Sequence, residues 1–239
     1  IKSLQIPVPS IDIQSKIIET NDKINSAINE FEKIKENLSI NPISSVDEAN
    51  KLDSIMEAIG ELSDSDFVKN LIREGESQTL EFKESFGHNV ENNKYETYLQ
   101  ELVIKTIAAF LNTKGGYLLI GVHDSGRITG INAELEKHHW PKVKKNIELS
   151  INEKLSLAKD EFIKRFKNKM KDTIGVQNYL NYDSQMIAIE EKIIFLVKCR
   201  KANQPVFVRD KDFFIRTNPA TDKLDGSKLH QYIKNRFNE

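Results

Sequence analysis

The sequence predicts an α+β fold, a mixed β-sheet with packed helices, preceded by a long-helix arm. Three observations carry this reading. An apolar stripe recurs every seven residues through the first forty positions, which is a helix period. Short segments such as TLEFKE alternate with the two-residue period of a strand, and GYLLIGV is a continuous apolar run of strand length. Between those two segments lies YETYLQELVIKTIAAFLNTKGG, the strongest helical pattern in the chain.

Taken in order, LQIPVPS holds two prolines and is barred from a helix interior. Ser10 then caps a pattern in which Ile17, Ile24, Phe31 and Leu38 repeat every seven residues, with Ala27, Ile28 and Ile34 filling the stripe. Such a stripe predicts a helix of about 40 Å that packs on a partner helix. Ile17, Ile24, Ile28 and Phe31 are its packing residues, whether the partner belongs to the same chain or to another. SINPISS breaks the pattern, and Ser45 with Glu48 forms a capping box that opens a second helix to about Glu61. The arm therefore spans residues 1–61, and residues 62–239 form the second unit.

In that unit, ELSDSDFVKNLIREG reads as a short helix capped near Ser63 or Asp64 and ended by Gly75. TLEFKE places Leu80 and Phe82 on one strand face and Glu81 and Lys83 on the other. The next helix shows an apolar face of Leu99, Val103, Ile107 and Phe110, and Asn112 to Gly115 ends it. GYLLIGV reads as a central strand, followed by a turn at Ser125–Gly126 and a short second strand. Residues 134–175 are helical and basic, an insertion before three strand-like runs: SQMIAIEE, KIIFLVKCRK, and a hairpin in PVFVRDKDFFIRT around Asp210–Asp212. His138, His139 and Trp140 read as packing residues at a helix start. A last helix begins near Asp225.

The net charge of −1 conceals an asymmetry. Through Glu136 there are 13 Lys/Arg against 23 Asp/Glu, and from Lys137 onward 22 against 13. A polyanion would therefore meet the second half. No apolar run is long enough to span a membrane. The chain starts without Met or a signal-peptide core, so it is expected to be a fragment or a trimmed product. Its one cysteine, Cys199, lies in an apolar run, which excludes an internal disulfide and points to a reducing cytoplasm. Neither GxxxxGK[ST] nor GxGxxG occurs, so no nucleotide-hydrolysing motif is encoded.

Three segments in this order, GESQTLEFKES, AAFLNTKGGYLLIGVHDSGRITGI and KANQPVFVRDKDFFIRTNPATDKLDG, resemble the Schlafen-type, divergent AlbA-like domain. The resemblance covers roughly residues 63–239. It implies nucleic-acid binding and, in some Schlafen proteins, metal-dependent endoribonuclease activity against tRNA-like or ribosomal RNA. The residues matching the nuclease members' acidic set are Glu76, Glu81 and Asp124, which would hold Mg²⁺ or Mn²⁺. At the front, LQIPVPSIDIQSKIIETNDKIN resembles the conserved helix after a target-recognition domain in type I restriction specificity subunits, through Ile6, Pro7, Pro9, Gln14, Lys16 and Ile17. That likeness implies a phage-defence setting and restriction-type partner subunits, or a homo-oligomer, joined through the first helix.

The chemistry of these residue types is consistent with phosphodiester hydrolysis. Carboxylate oxygens suit hard divalent cations, which supply a nucleophilic water and neutralise the phosphate. Lys83 shares the face of Glu81 and could contact a phosphate or orient that water. Glu76 sets a condition: five extended residues span about 17 Å, so ESQT must fold back towards the strand. Lys164, Arg165, Lys167, Lys169 and Lys171 in the basic helix are candidate phosphate contacts, as are Arg209, Lys211 and Arg216 beside Phe207, Phe213 and Phe214 in the hairpin. Two plainer readings stand beside this one. Glu76, Glu81 and Lys83 could form a solvated strand face with an ion pair, making the domain a non-catalytic DNA- or RNA-binding or regulatory module. Alternatively, the arm could make the chain chiefly an assembly subunit.

Overall fold

The computed structural model describes residues 11–40, 64–140 and 149–237, which fall into two compact units, Ile1–Ser63 and Asp64–Glu239. In the first unit, α1 (Ile11–Ile40) runs for 30 residues, about 45 Å at the standard rise. Along its apolar stripe Ile17, Ile24 and Ile28 are each about half exposed, Phe31 is partly covered and Ile34 is buried. The second helix expected from Ser45 to Glu61 lies outside the described residues, as do Ile6, Pro7 and Pro9.

The second unit is built on a four-stranded mixed sheet in the order β1-β2-β4-β3. Its strands are β1 (Leu80–Lys83), β2 (Gly116–Ile120), β3 (Tyr182–Ile189) and β4 (Lys192–Cys199). β1 and β2 are parallel, joined by a crossover through α3 (Thr97–Asn112), while β2–β4 and β4–β3 are antiparallel. Alternation sorts the side chains cleanly. On one face Leu80, Phe82, Leu119, Ile194 and Leu196 pack with Val68 and Leu71 from α2, the helix over residues 64–74. On the other, Leu118, Ile120, Phe195 and Val197 meet α3 and the long helix α5 (Ile151–Ile174). Glu81 and Lys83 fall on this second face, in register with Leu118 and Ile120, at the sheet's edge.

The core of that face is aromatic. Phe86, Phe162, Phe166 and Phe195 make edge-on contacts with centroids 4.9–5.6 Å apart. Truncating one of these rings to alanine costs about 3–5 kcal/mol. Cys199 is buried on β4, and the surrounding apolar shell pushes its thiol well above the ordinary range.

The basic insertion is not one helix. A helical turn at Asn132–Glu134 (α4) continues to His139, and Trp140 is extended, as a residue preceding Pro141 must be. Thus His138 and His139 close a turn instead of opening a helix. α5 then starts at a capping box made by Ser150 and Glu153, a signal passed over in the sequence.

A second, three-stranded antiparallel sheet, β5 (Phe207–Val208), β6 (Asp212–Arg216) and β7 (Thr221–Leu224), leans on α3. Arg209 and Asp210 both adopt φ of +54° in the β5–β6 turn, the twist a tight hairpin requires. β7 was not anticipated: TDKL is polar, and an edge strand has no apolar alternation to reveal it. α6 (Gly226–Phe237) ends the described chain. Buried Asn112 joins this sheet to α3. Its Nδ2 donates to the carbonyls of Val206 (2.8 Å) and Phe214 (2.9 Å), and its Oδ1 accepts from Val206 N (2.8 Å).

Candidate functional site

Gly75, at φ +75°, ends α2 and turns the chain back on itself. Ser77 N donates to Leu80 O at 2.9 Å, closing a tight loop of the kind that the spacing of Glu76 and Glu81 demanded. As a result Glu76 lies against β1, where its Oε1 accepts from Phe82 N at 2.9 Å. Burial pushes the Glu76 carboxyl above its usual range. The Phe82 N–H and Lys83 oppose this shift, and the charges of Glu81 and Asp124 reinforce it. Asp124 sits, exposed, in the turn after β2, which is closed by Gly126 N donating to His123 O at 2.8 Å. The three carboxylates therefore share one electrostatic neighbourhood.

Glu81 has both oxygens engaged. Lys83 Nζ donates to Oε1 at 2.5 Å and to the Phe82 carbonyl at 2.7 Å. Arg216 Nη1 approaches Oε2 at 2.9 Å. Arg216 is not the exposed phosphate contact expected from the hairpin. Its side chain is 1% exposed, because β6 pairs with β5 and β7 and directs it under the sheet onto Phe110, with the guanidinium 4.9 Å from the ring centroid. No sequence signal joins Arg216 to Glu81, which lie 135 positions apart on separate sheets.

As placed, the carboxylates do not fit a resident divalent ion. Both oxygens of Glu81 are held by cationic side chains, one oxygen of Glu76 holds a backbone N–H, and among the described residues no three His, Cys, Asp or Glu side chains group as ligands. Lys83, Glu84, His88, Tyr98, Leu102 and Asp124 do line a common groove of about 390 Å³ beside β1.

The five candidate phosphate contacts of α5 separate into two sets. Ala158, Phe162, Phe166 and Met170 face the core, which turns Lys164, Lys167 and Lys171 outward. These three line an open groove of about 490 Å³ with Asp160, Val176 and Tyr179, and carry no ion pair among the described residues. The other two are engaged inside the domain. The Arg165 guanidinium lies 4.9 Å from the Tyr95 ring centroid, and Lys169 Nζ is 4.0 Å from Glu101 Oε1. Glu101 also takes Arg209, so that hairpin cation is bound to α3, whereas Lys211 is exposed.

At the α4 turn, where the sequence marks His138 and His139 only as packing residues, a polar cluster also draws in Glu134 and His88. Glu134 accepts from Phe86 N (2.9 Å) and Gly87 N (2.8 Å), which pins the loop after β1. His88 Nδ1 and His138 Nε2 are 2.9 Å apart, and burial lowers the pKa of both rings.

The family model described as Schlafen, AlbA_2 matches residues 76–225. An uncharacterized ATP-binding protein, UU034, of Ureaplasma parvum serovar 3 is 29% identical over 172 residues, covering 70% of this chain and 45% of the relative. The chain thus spans less than half of that relative's length. Among solved structures, the DIP2311 protein of Corynebacterium diphtheriae aligns with a TM-score of 0.43 at 17% identity, over 66% of this chain and 27% of that one. Among the described residues no helix is long and apolar enough to cross a membrane.

Proposed function

The chain belongs to the Schlafen, AlbA_2 family, and on that premise we propose that its second unit binds nucleic acid, RNA in preference to DNA, through the outward face of α5. The observation that carries this reading is the row Lys164, Lys167 and Lys171 beside Tyr179: three cations without an ion pair among the described residues, against the single carboxylate of Asp160, on one groove with an aromatic ring at its edge. Cations track a phosphate backbone, and an aromatic ring stacks an unpaired base. The front segment's likeness to restriction specificity subunits adds a phage-defence setting to the proposal. The exposed stripe of α1 adds assembly through Ile17, Ile24 and Ile28.

A second reading, metal-dependent endonuclease, draws on the convergence of Glu76, Glu81 and Asp124 around the folded-back turn. It requires at least one oxygen of Glu81 to leave its cation, Oε1 from Lys83 or Oε2 from Arg216, before a divalent ion could be held. One experiment separates the two readings: labelled tRNA, single-stranded RNA and DNA incubated with Mn²⁺, Mg²⁺ or EDTA, wild type against Glu81→Ala. Salt-sensitive binding without cleavage, equal in both proteins, supports the binding module. Metal-dependent cleavage lost in a Glu81→Ala protein that still folds establishes the nuclease and refutes a purely binding role.

A further inference from the structure

Glu81 and Arg216 form the most heavily connected ionic contact among the described residues. Besides the 2.9 Å contact with Glu81, the Arg216 guanidinium donates to Ser77 O at 2.7 Å, Thr221 Oγ1 at 3.0 Å and Gln78 O at 3.4 Å. The backbone of Arg216 is fixed as well: its N–H donates to Thr113 Oγ1 at 2.9 Å, and its carbonyl accepts from Gln78 Nε2 at 3.3 Å. One side chain thereby holds β1, the 76–80 turn and β7 together.

We propose that Arg216 is the built-in counter-ion and positioning residue of the acidic site, taking the place on Glu81 that a divalent cation would otherwise fill. The physical argument is one of charge and geometry. A carboxylate that is 14% exposed needs a compensating cation, and Glu81 has two, one on each oxygen. A planar guanidinium with five donors reaches four acceptors at once, the carboxylate, the Ser77 and Gln78 carbonyls and the Thr221 hydroxyl, where an ammonium has only three donors. By gripping Ser77 and Gln78, Arg216 also shapes the loop that lays Glu76 on β1. The inference is independent of the α5 interface, since it concerns a different face and a different readout.

The test is thermal unfolding of the full chain with EDTA or Mn²⁺, together with Mn²⁺ titration calorimetry. The wild-type midpoint should shift by no more than about 1 °C at about 5 mM Mn²⁺, whereas an ion bound with Kd near ~50 µM would raise it by about 5–10 °C. Arg216→Met should lower the midpoint by about 10 °C. Mn²⁺ should then restore part of that loss, because Glu81 is freed to take the ion, and the restoration should vanish in Arg216→Met/Glu81→Gln. Arg216→Gln, which removes the charge but keeps a polar side chain, makes the same comparison if the methionine variant does not fold. Arg216→Lys, which keeps the charge, should stay indifferent to Mn²⁺. Wild-type stabilisation by Mn²⁺ that Glu81→Gln abolishes overturns the proposal. So does a folded Arg216→Met or Arg216→Gln that Mn²⁺ leaves unmoved.

Discussion

Replacing Lys164, Lys167 and Lys171 together by alanine tests the proposed interface where it makes its most quantitative demand. All three project from the solvent face of α5 and have no ion-pair partner among the described residues, so each can release a counterion from bound phosphate. For single-stranded nucleic acid, three contacts contribute about 2 to the slope of log K against log salt, at roughly 0.7 per phosphate. Carried from 1 M to 0.1 M salt, that slope is worth about a hundredfold in affinity, or roughly 2.8 kcal/mol. Arg165, Lys169 and Arg209 are excluded from the sum because Tyr95 and Glu101 already hold them. The assay is fluorescence anisotropy of a labelled single-stranded RNA across a potassium chloride series from about 50 to 300 mM, the range where screening changes steeply. The variant should lose about 2 from the slope, and its curve should converge on that of wild type at high salt. An unchanged slope would refute the α5 interface, even if affinity fell, because a loss without salt dependence means damage to the fold.

Further expectations follow from contacts elsewhere. Asn112→Ala leaves two buried carbonyls and one N–H without partners, at about 1–3 kcal/mol each, so the unfolding midpoint should drop by at least about 6 °C; a change within about 2 °C would mean that water replaces the amide. For His88 and His138 the folded pKa lies below the ordinary 6.5, so stability is full above that pH and is lost as pH falls through the lowered values. Midpoints measured from pH 7.5 down to about 5 should show this loss, reduced in His88→Gln/His138→Gln; parallel curves for the two proteins would assign it to other groups. In the arm, Ile24→Asp/Ile28→Asp places charge on the exposed stripe of α1 and should shift any self-association of the wild type toward monomer in sedimentation velocity. A distribution identical to that of an associated wild type removes that stripe from the interface.

Much of the fold was legible because it rests on period. Leu80 and Phe82 alternate with Glu81 and Lys83, and the structure keeps that sorting, since a strand reverses face at every residue. Helix α3 buries the Val103, Ile107 and Phe110 face that its spacing marks out. The turn that brings Glu76 to β1 was legible as a requirement, from the reach of five residues and the freedom of Gly75. What failed had no period to follow. β7 is a polar edge strand, and Arg216 looks like any basic residue among aromatics.

The chain by itself determined the acidic front, the basic α5, the strand faces and the family, because charge and local periodicity are properties of neighbouring residues. Only the tertiary structure decided which cations are free. It spent Arg216 on Glu81, Arg209 and Lys169 on Glu101, and Arg165 on Tyr95, and left Lys164, Lys167 and Lys171 to solvent. An ionic partner is chosen by distance in space, and side chains 135 positions apart meet only once two sheets have closed around α3.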